Sequence, residues 1–273
     1  MSTVKVNGVE LFYKESGNGP ETIVFSHGLL MDHAMFEPQR AAFEREYRVI
    51  AYDHRAQGQS ADPGGGYDMD TLTQDAAGLI QTLGAGPCHF VGLSMGGFVG
   101  MRLAARRPDL VRTLTLMSTG AAAEPAMARL RYGFLAQLVK IVGPSPFTGI
   151  AVKELFGRTT RMTNDPVVRA MLDIWTTKLR NRQKNIAHSI LAVMNRAEFS
   201  ADELAAIRCP TLVIAGEDDT AQPPKNQEKL AAAIANARLA RIPGAGHSST
   251  LEQPDAVIAA MRELIAVEPV RRY

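Results

Sequence analysis

Hydrophobic and polar positions alternate along residues 4–13 and break at Asn7-Gly8, the dipeptide a type I′ turn prefers, so the chain should open with a hairpin. The pattern then changes. Residues 22–26, 48–52, 88–91, 110–117 and 210–215 are continuous apolar runs, the mark of strands buried on both faces, and 237–242 reads as a further short strand. Between them lie segments with helical spacing. In 72–83, Leu72, Ala76, Leu79, Ile80 and Leu83 share one face and Gly84 follows as a stop. A helix after Phe98 carries Met101, Leu103 and Ala104 inward, and 225–234 and 254–267 are further helices. From 119 to 208 the patterns are helical only: 125–142, a helix opened by Asp165-Pro166, and 183–195. Strands alternating with helices predict a mostly parallel sheet covered on both faces. The expected organisation is one α/β unit formed by 1–118 and 209–273, with 119–208 as a helical cap insertion.

Composition changes this picture little. Thirty Lys and Arg against 28 Asp and Glu leave the 273-residue chain at +2, with no charge run suited to nucleic acid. The two cysteines, Cys88 and Cys209, each at the start of a predicted core strand, have no metal-ligand neighbours and read as buried reduced thiols. No apolar leader or spanning run is visible, so the expectation is a cytoplasmic protein with no membrane partner.

Candidate chemistry gathers at the predicted strand ends, where open α/β sheets bind ligands. The run 88–91 leads into Gly92-Leu93-Ser94-Met95-Gly96, and a helix follows at once. A turn that sharp strains the Ser94 backbone and presents its hydroxyl, and a side chain at Gly92 or Gly96 would collide with the turn or the neighbouring strand. His27-Gly28-Leu29-Leu30, Asp53-His54-Arg55, Gly216-Glu217-Asp218-Asp219 and Gly244-Ala245-Gly246-His247 end four other strands. A serine hydroxyl needs a base and oxyanion donors. His247 can be the base and either Asp218 or Asp219 its orienting acid.

With these motifs the chain resembles the α/β-hydrolase superfamily, in particular cofactor-free capped hydrolases such as 3-oxoadipate enol-lactonases, carboxylesterases and haloperoxidase-like perhydrolases. The resemblance implies an eight-stranded, mostly parallel sheet flanked by helices, with the cap inserted after the sixth strand. It implies Ser94 as nucleophile, His247 as base, and backbone N–H groups of Leu29 and Met95 as oxyanion donors. Its spacing, an acid three residues after Gly216 and four before Pro223, selects Asp219. It also implies ordering of the oxyanion loop by His27 and a structural role for Arg55. Ala56 stands where many relatives have glycine, which suggests an altered loop, and Phe36 where a pocket-mouth tryptophan is common. Phe36, Phe134, Leu138, Met171 and Trp175 are candidate pocket residues.

The expected activity is hydrolysis of small carboxylic esters or lactones through an acyl-enzyme, with no metal or organic cofactor and a small-molecule ester or lactone as partner. Perhydrolysis, C–C bond hydrolysis, and a receptor with a vestigial triad are the alternatives, and association of copies is left open. The 119–208 stretch holds 13 Lys and Arg against 7 Asp and Glu. That excess reads as solvated helix faces in preference to attraction of a carboxylate-bearing substrate.

Overall fold

The computed structural model describes residues 2–182, 184 and 186–266. Eight strands form one sheet: β1 (Ser2–Val6), β2 (Val9–Ser16), β3 (Thr22–Ser26), β4 (Arg48–Tyr52), β5 (Cys88–Leu93), β6 (Val111–Met117), β7 (Thr211–Gly216) and β8 (Ala237–Ile242), in the order β1-β2-β4-β3-β5-β6-β7-β8. β2 is antiparallel to both its neighbours and every other pairing is parallel. Asn7 and Gly8 take φ of +45° and +76°, the two left-handed positions a type I′ turn requires. β3, β5 and β7 are buried along their whole length, as their unbroken apolar runs predict. β8 is an edge strand, mostly exposed, and it carries Arg238 and Arg241.

The helices are α1 (Glu37–Phe43), α2 (Met69–Thr82), α3 (Met95–Arg106), α4 (Ala126–Val142), α5 (Thr148–Leu155), α6 (Arg158–Met162), α7 (Pro166–Arg180), α8 (Ile186–Met194), α9 (Ala201–Ala205), α10 (Pro224–Ala233), α11 (Ser249–Glu252) and α12 (Pro254–Ala266). One core lies under α2 and α3, around Phe90, Phe98 and Leu114; the other, around Phe25, Val91 and Ile214, includes Phe43 of α1 and Met261 of α12. Continuous apolar strands need cover on both faces, and these helices supply it. α2 starts three residues before its apolar stripe because the Asp68 carboxylate accepts the Thr71 amide at 2.9 Å and caps the first turn.

Every α-helix between β6 and β7 is inserted after the sixth strand. α4 packs on α8 through a small core of Ala136, Val139, Ile186, Ala187 and Ile190. The start of the expected 183–195 helix, Gln183 and Asn185, and Val267 of the expected 254–267 helix, lie outside the described residues. α9, inside the expected 119–208 insertion, packs on α3 and α10 of the body, its N-terminus closed by a Ser200–Glu203 capping box. Among the described residues no helix is long and apolar enough to cross a membrane.

Candidate active site

β5 runs straight into α3, and the junction is Ser94, with φ +53° and ψ −110°. For a residue with a Cβ this backbone costs on the order of 1–3 kcal/mol and persists only where the surroundings impose it. Here they do. Ser94 N donates to Met117 O of β6 at 2.8 Å, and Thr119 Oγ1 donates to Ser94 O at 3.1 Å. A Cβ on Gly92 would lie 2.2 Å from Gly96 O, and one on Gly96 would lie 2.0 Å from Ser26 O. The first collision is with the turn and the second with the neighbouring strand, so both glycines are needed for the turn to form.

His247 and Asp219 leave the ends of β8 and β7. Nδ1 of His247 faces the carboxylate at 3.1 and 3.0 Å from its two oxygens. A carboxylate only accepts, so Nδ1 carries the proton and Nε2 is the nitrogen with a free lone pair. Both side chains are buried. Burial opposes protonation of the imidazole, but the charge and hydrogen bond of Asp219, with the charges of Glu252 and Glu154, outweigh it and hold His247 above its ordinary value of 6.5. Asp218 points elsewhere. Its Oδ2 accepts from Thr159 N at 2.9 Å and Thr159 Oγ1 at 2.5 Å, at the N-terminus of α6. Those two bonds lower its carboxyl below the ordinary range.

Ser94 and His247 line one cavity of about 170 Å³, roofed by α4, α5 and α8. Leu29 also lines it, and the turn it follows is close to the serine: a Cβ built on Gly28 would lie 3.5 Å from Ser94 Cβ. Met95 is the first residue of α3, so its N–H has no partner within the helix. The Leu29 loop is held from below. His27 is fully buried, its Nδ1 bonded to Gly28 O at 2.8 Å and its Nε2 accepting from His54 N at 3.0 Å. Burial keeps His27 neutral by lowering its pKa, and burial with the nearby His27 puts His54 well below the ordinary histidine value.

Arg55 makes a two-pronged ion pair with the buried Asp75, both contacts at 2.5 Å, and reaches the Gly65 and Asn7 carbonyls at 3.2 and 3.4 Å. It ties three segments together well away from the cavity lining. Ala56 takes φ +59°. That is left-handed geometry, which favours glycine, and the alanine accepts the strain.

The candidate pocket residues need correction. None of Phe36, Phe134, Leu138, Met171 and Trp175 lines the cavity. Phe36 is fully buried, stacked on Phe25 at 4.7 Å between ring centroids. Trp175 is buried in the core cluster that includes Leu172 and Leu179 of α7, and Met171 packs against that cluster. Phe134 is 67% exposed, on the outer face of α4. α4 is apolar nearly all round, so its pattern does not tell which face turns inward; Tyr132, Leu135 and Val139 do.

Sequence reasoning also missed Glu252. One of its carboxylate oxygens accepts from Gly246 N and Ser248 N, at 3.0 and 3.1 Å, on either side of His247. The other accepts from Gly157 N and Thr160 Oγ1, at 2.8 and 2.5 Å, at the start of α6. Burial pushes this carboxyl above the ordinary glutamate value, and the four donors pull the other way. The two loops touch so closely that a Cβ on Gly246 would lie 2.1 Å from Gly157 N. Glu252→Ala strands three buried amides and is expected to lower stability by at least about 3 kcal/mol, read by urea unfolding. No motif marked this residue, whose signal is only an acidic position five residues after the histidine.

The family model for the alpha/beta hydrolase fold matches residues 21–254. The chain belongs to the α/β-hydrolase family. A thermophilic esterase from Thermogutta terrifontis superposes with a TM-score of 0.90 at 29% identity, over 98% of this chain and 99% of that one. The enol-lactonase from Burkholderia xenovorans LB400 gives 0.87 at 31% identity, over 97% and 100%. RutD of Stutzerimonas stutzeri, provisionally assigned as a carbamate hydrolase, is 29% identical over 244 residues, 86% of this chain and 87% of its own length. A hydrolytic role for this α/β-hydrolase follows from that company.

Proposed function

We propose that this α/β-hydrolase is a serine hydrolase of small carboxylic esters or lactones that works through an acyl-enzyme. The observation that carries this reading is the buried Asp219–His247 pair opening into the same cavity as a serine on a strained strand-to-helix turn. In the proposed mechanism, Nε2 of His247 takes the Ser94 proton as Oγ attacks the carbonyl carbon. Asp219 holds the tautomer and stabilises the imidazolium. The developing oxyanion is received by the N–H groups of Leu29 and Met95, each donor contributing about 3 kcal/mol to the transition state. The tetrahedral intermediate collapses, His247 returns the proton to the leaving alkoxide, and water repeats the sequence on the acyl-enzyme. The helices between β6 and β7 act as the roof that shapes the acyl pocket.

The direct test is labelling with a p-nitrophenyl alkylphosphonate. Modification of Ser94, located by peptide mass spectrometry, together with turnover of p-nitrophenyl acetate, butyrate or octanoate, is the expected result. Labelling at another serine would overturn the assignment.

The pH profile supplies an independent check. A base must be neutral to act, so kcat/KM falls as pH drops through the His247 pKa. Because Asp219 holds that pKa above 6.5, the acid limb of the profile should lie above pH 6.5. In Asp219→Asn the largest support of the imidazolium is gone and burial is opposed only by the weaker charges of Glu252 and Glu154, so the residual activity should show a limb moved to lower pH.

A further inference from the structure

The cavity that Ser94 and His247 share is walled by apolar side chains, with two carboxylates among them, Glu124 and Glu154. Among the described residues no lysine or arginine lines it, although the inserted helices carry a net positive charge. That charge is engaged elsewhere. Lys178 of α7 and Arg182, just beyond it, face Asp32 at 3.3 and 3.5 Å. Arg196 pairs with Glu124 at 2.9 Å and lies over the Phe98 ring, so Glu124 is compensated by a buried cation. Glu154 is not buried with its partner: the Arg131 guanidinium is 3.5 Å away and 63% exposed, in contact with screening water. The Glu154 side chain is 28% exposed and faces the cavity from α5. Its charge is felt by its neighbours there, adding to burial in raising the Tyr132 phenol and contributing to the support of His247.

Resting on the ester-hydrolase reading, we infer that the site selects neutral, apolar esters and rejects carboxylate-bearing ones, with Glu154 on the cavity wall as the residue that sets this charge preference. An anionic acyl tail entering this cavity leaves water, meets no lysine or arginine among the described wall residues and approaches a carboxylate whose paired guanidinium is exposed and screened. All three effects disfavour it. A neutral tail of the same length meets a mostly apolar wall and feels no charge repulsion from Glu154. The carboxylate-bearing lactones and hemiesters that a basic cap would draw in are therefore the substrates this pocket excludes.

The test compares p-nitrophenyl hexanoate with mono-p-nitrophenyl adipate, which differ by a terminal carboxylate. The wild type is expected to favour the neutral ester in kcat/KM by at least about tenfold, chiefly through KM. Glu154→Gln should narrow that ratio several-fold. Arg131→Gln, an exposed substitution with little bearing on folding, removes the cation paired with Glu154 and should widen it. Equal rates for the two esters in the wild type, or ratios unmoved in both variants, would overturn the inference while leaving the hydrolase reading intact. Equilibrium dialysis of the same esters against Ser94→Ala separates the two claims. If the wild type turns over neither ester but Ser94→Ala binds the hexanoate ester at least about tenfold more tightly, the ester-hydrolase reading fails and the charge selection stands. Equal binding of both esters would sink the selection as well.

Discussion

Ser94→Ala is expected to lower kcat/KM for p-nitrophenyl butyrate by roughly 10⁵-fold, while the thermal midpoint moves by no more than a degree or two. The loss is large because, in the proposed mechanism, this residue forms the covalent bond, and it shares its cavity with the His247 that would take its proton. What remains reflects binding and the backbone donors, which the substitution does not touch. The fold should tolerate the change because the bonds that hold residue 94 are main-chain ones, to Met117 and from Thr119. Alanine adopts φ +53° no more easily than serine, so no relief of strain is expected either. A loss of activity accompanied by a collapse of the thermal midpoint would point to unfolding and would leave the nucleophile unassigned.

Asp219→Asn is the second large effect, a fall of roughly 10⁴-fold in kcat. Asparagine presents an N–H₂ group as well as an oxygen to Nδ1 of His247. The tautomer with the proton on Nε2 then becomes comfortable, and that tautomer cannot accept the serine proton. The neighbouring substitution makes the experiment decisive. Asp218→Asn alters only the cap contact at Thr159, and its kcat should stay within about tenfold of wild type. Equal losses in the two variants would remove Asp219 from its orienting role.

Much of this site was legible in the sequence because its parts obey short-range rules. The strained turn at Ser94 requires Gly92 and Gly96 at fixed offsets, and the collisions that exclude side chains there are between residues a few positions apart or on adjacent strands. The strand ends were legible because β3, β5 and β7 are buried on both faces and so read as unbroken apolar runs. Asp218 and Asp219 could not be separated from residue chemistry alone, because the two differ only in the direction each leaves the strand. The family spacing favoured the one that the fold turns toward His247.

Neither the short helices nor the cavity wall was legible. The short helices α1, α6, α9 and α11 run four to seven residues, under two turns, too few to display a period. Which face of α4 looks inward is set by its contact with α8, 50 residues further on, and the helix is apolar on nearly every side. Glu252 was invisible for a related reason: its partners Gly157 and Thr160 are more than 90 positions away, and each is unremarkable by itself.

The two glutamates in the cavity wall bear on the end of the reaction as well as its start. In the proposed reaction an ester enters uncharged, but the acid set free from the acyl-enzyme ionises at neutral pH. It then meets Glu154 across an apolar space with no cation to hold it. A wall that is indifferent to the substrate is repulsive to the product. On the proposed reading, hydrolysis thus converts a ligand the pocket tolerates into one it holds weakly, which keeps the site clear as acid accumulates.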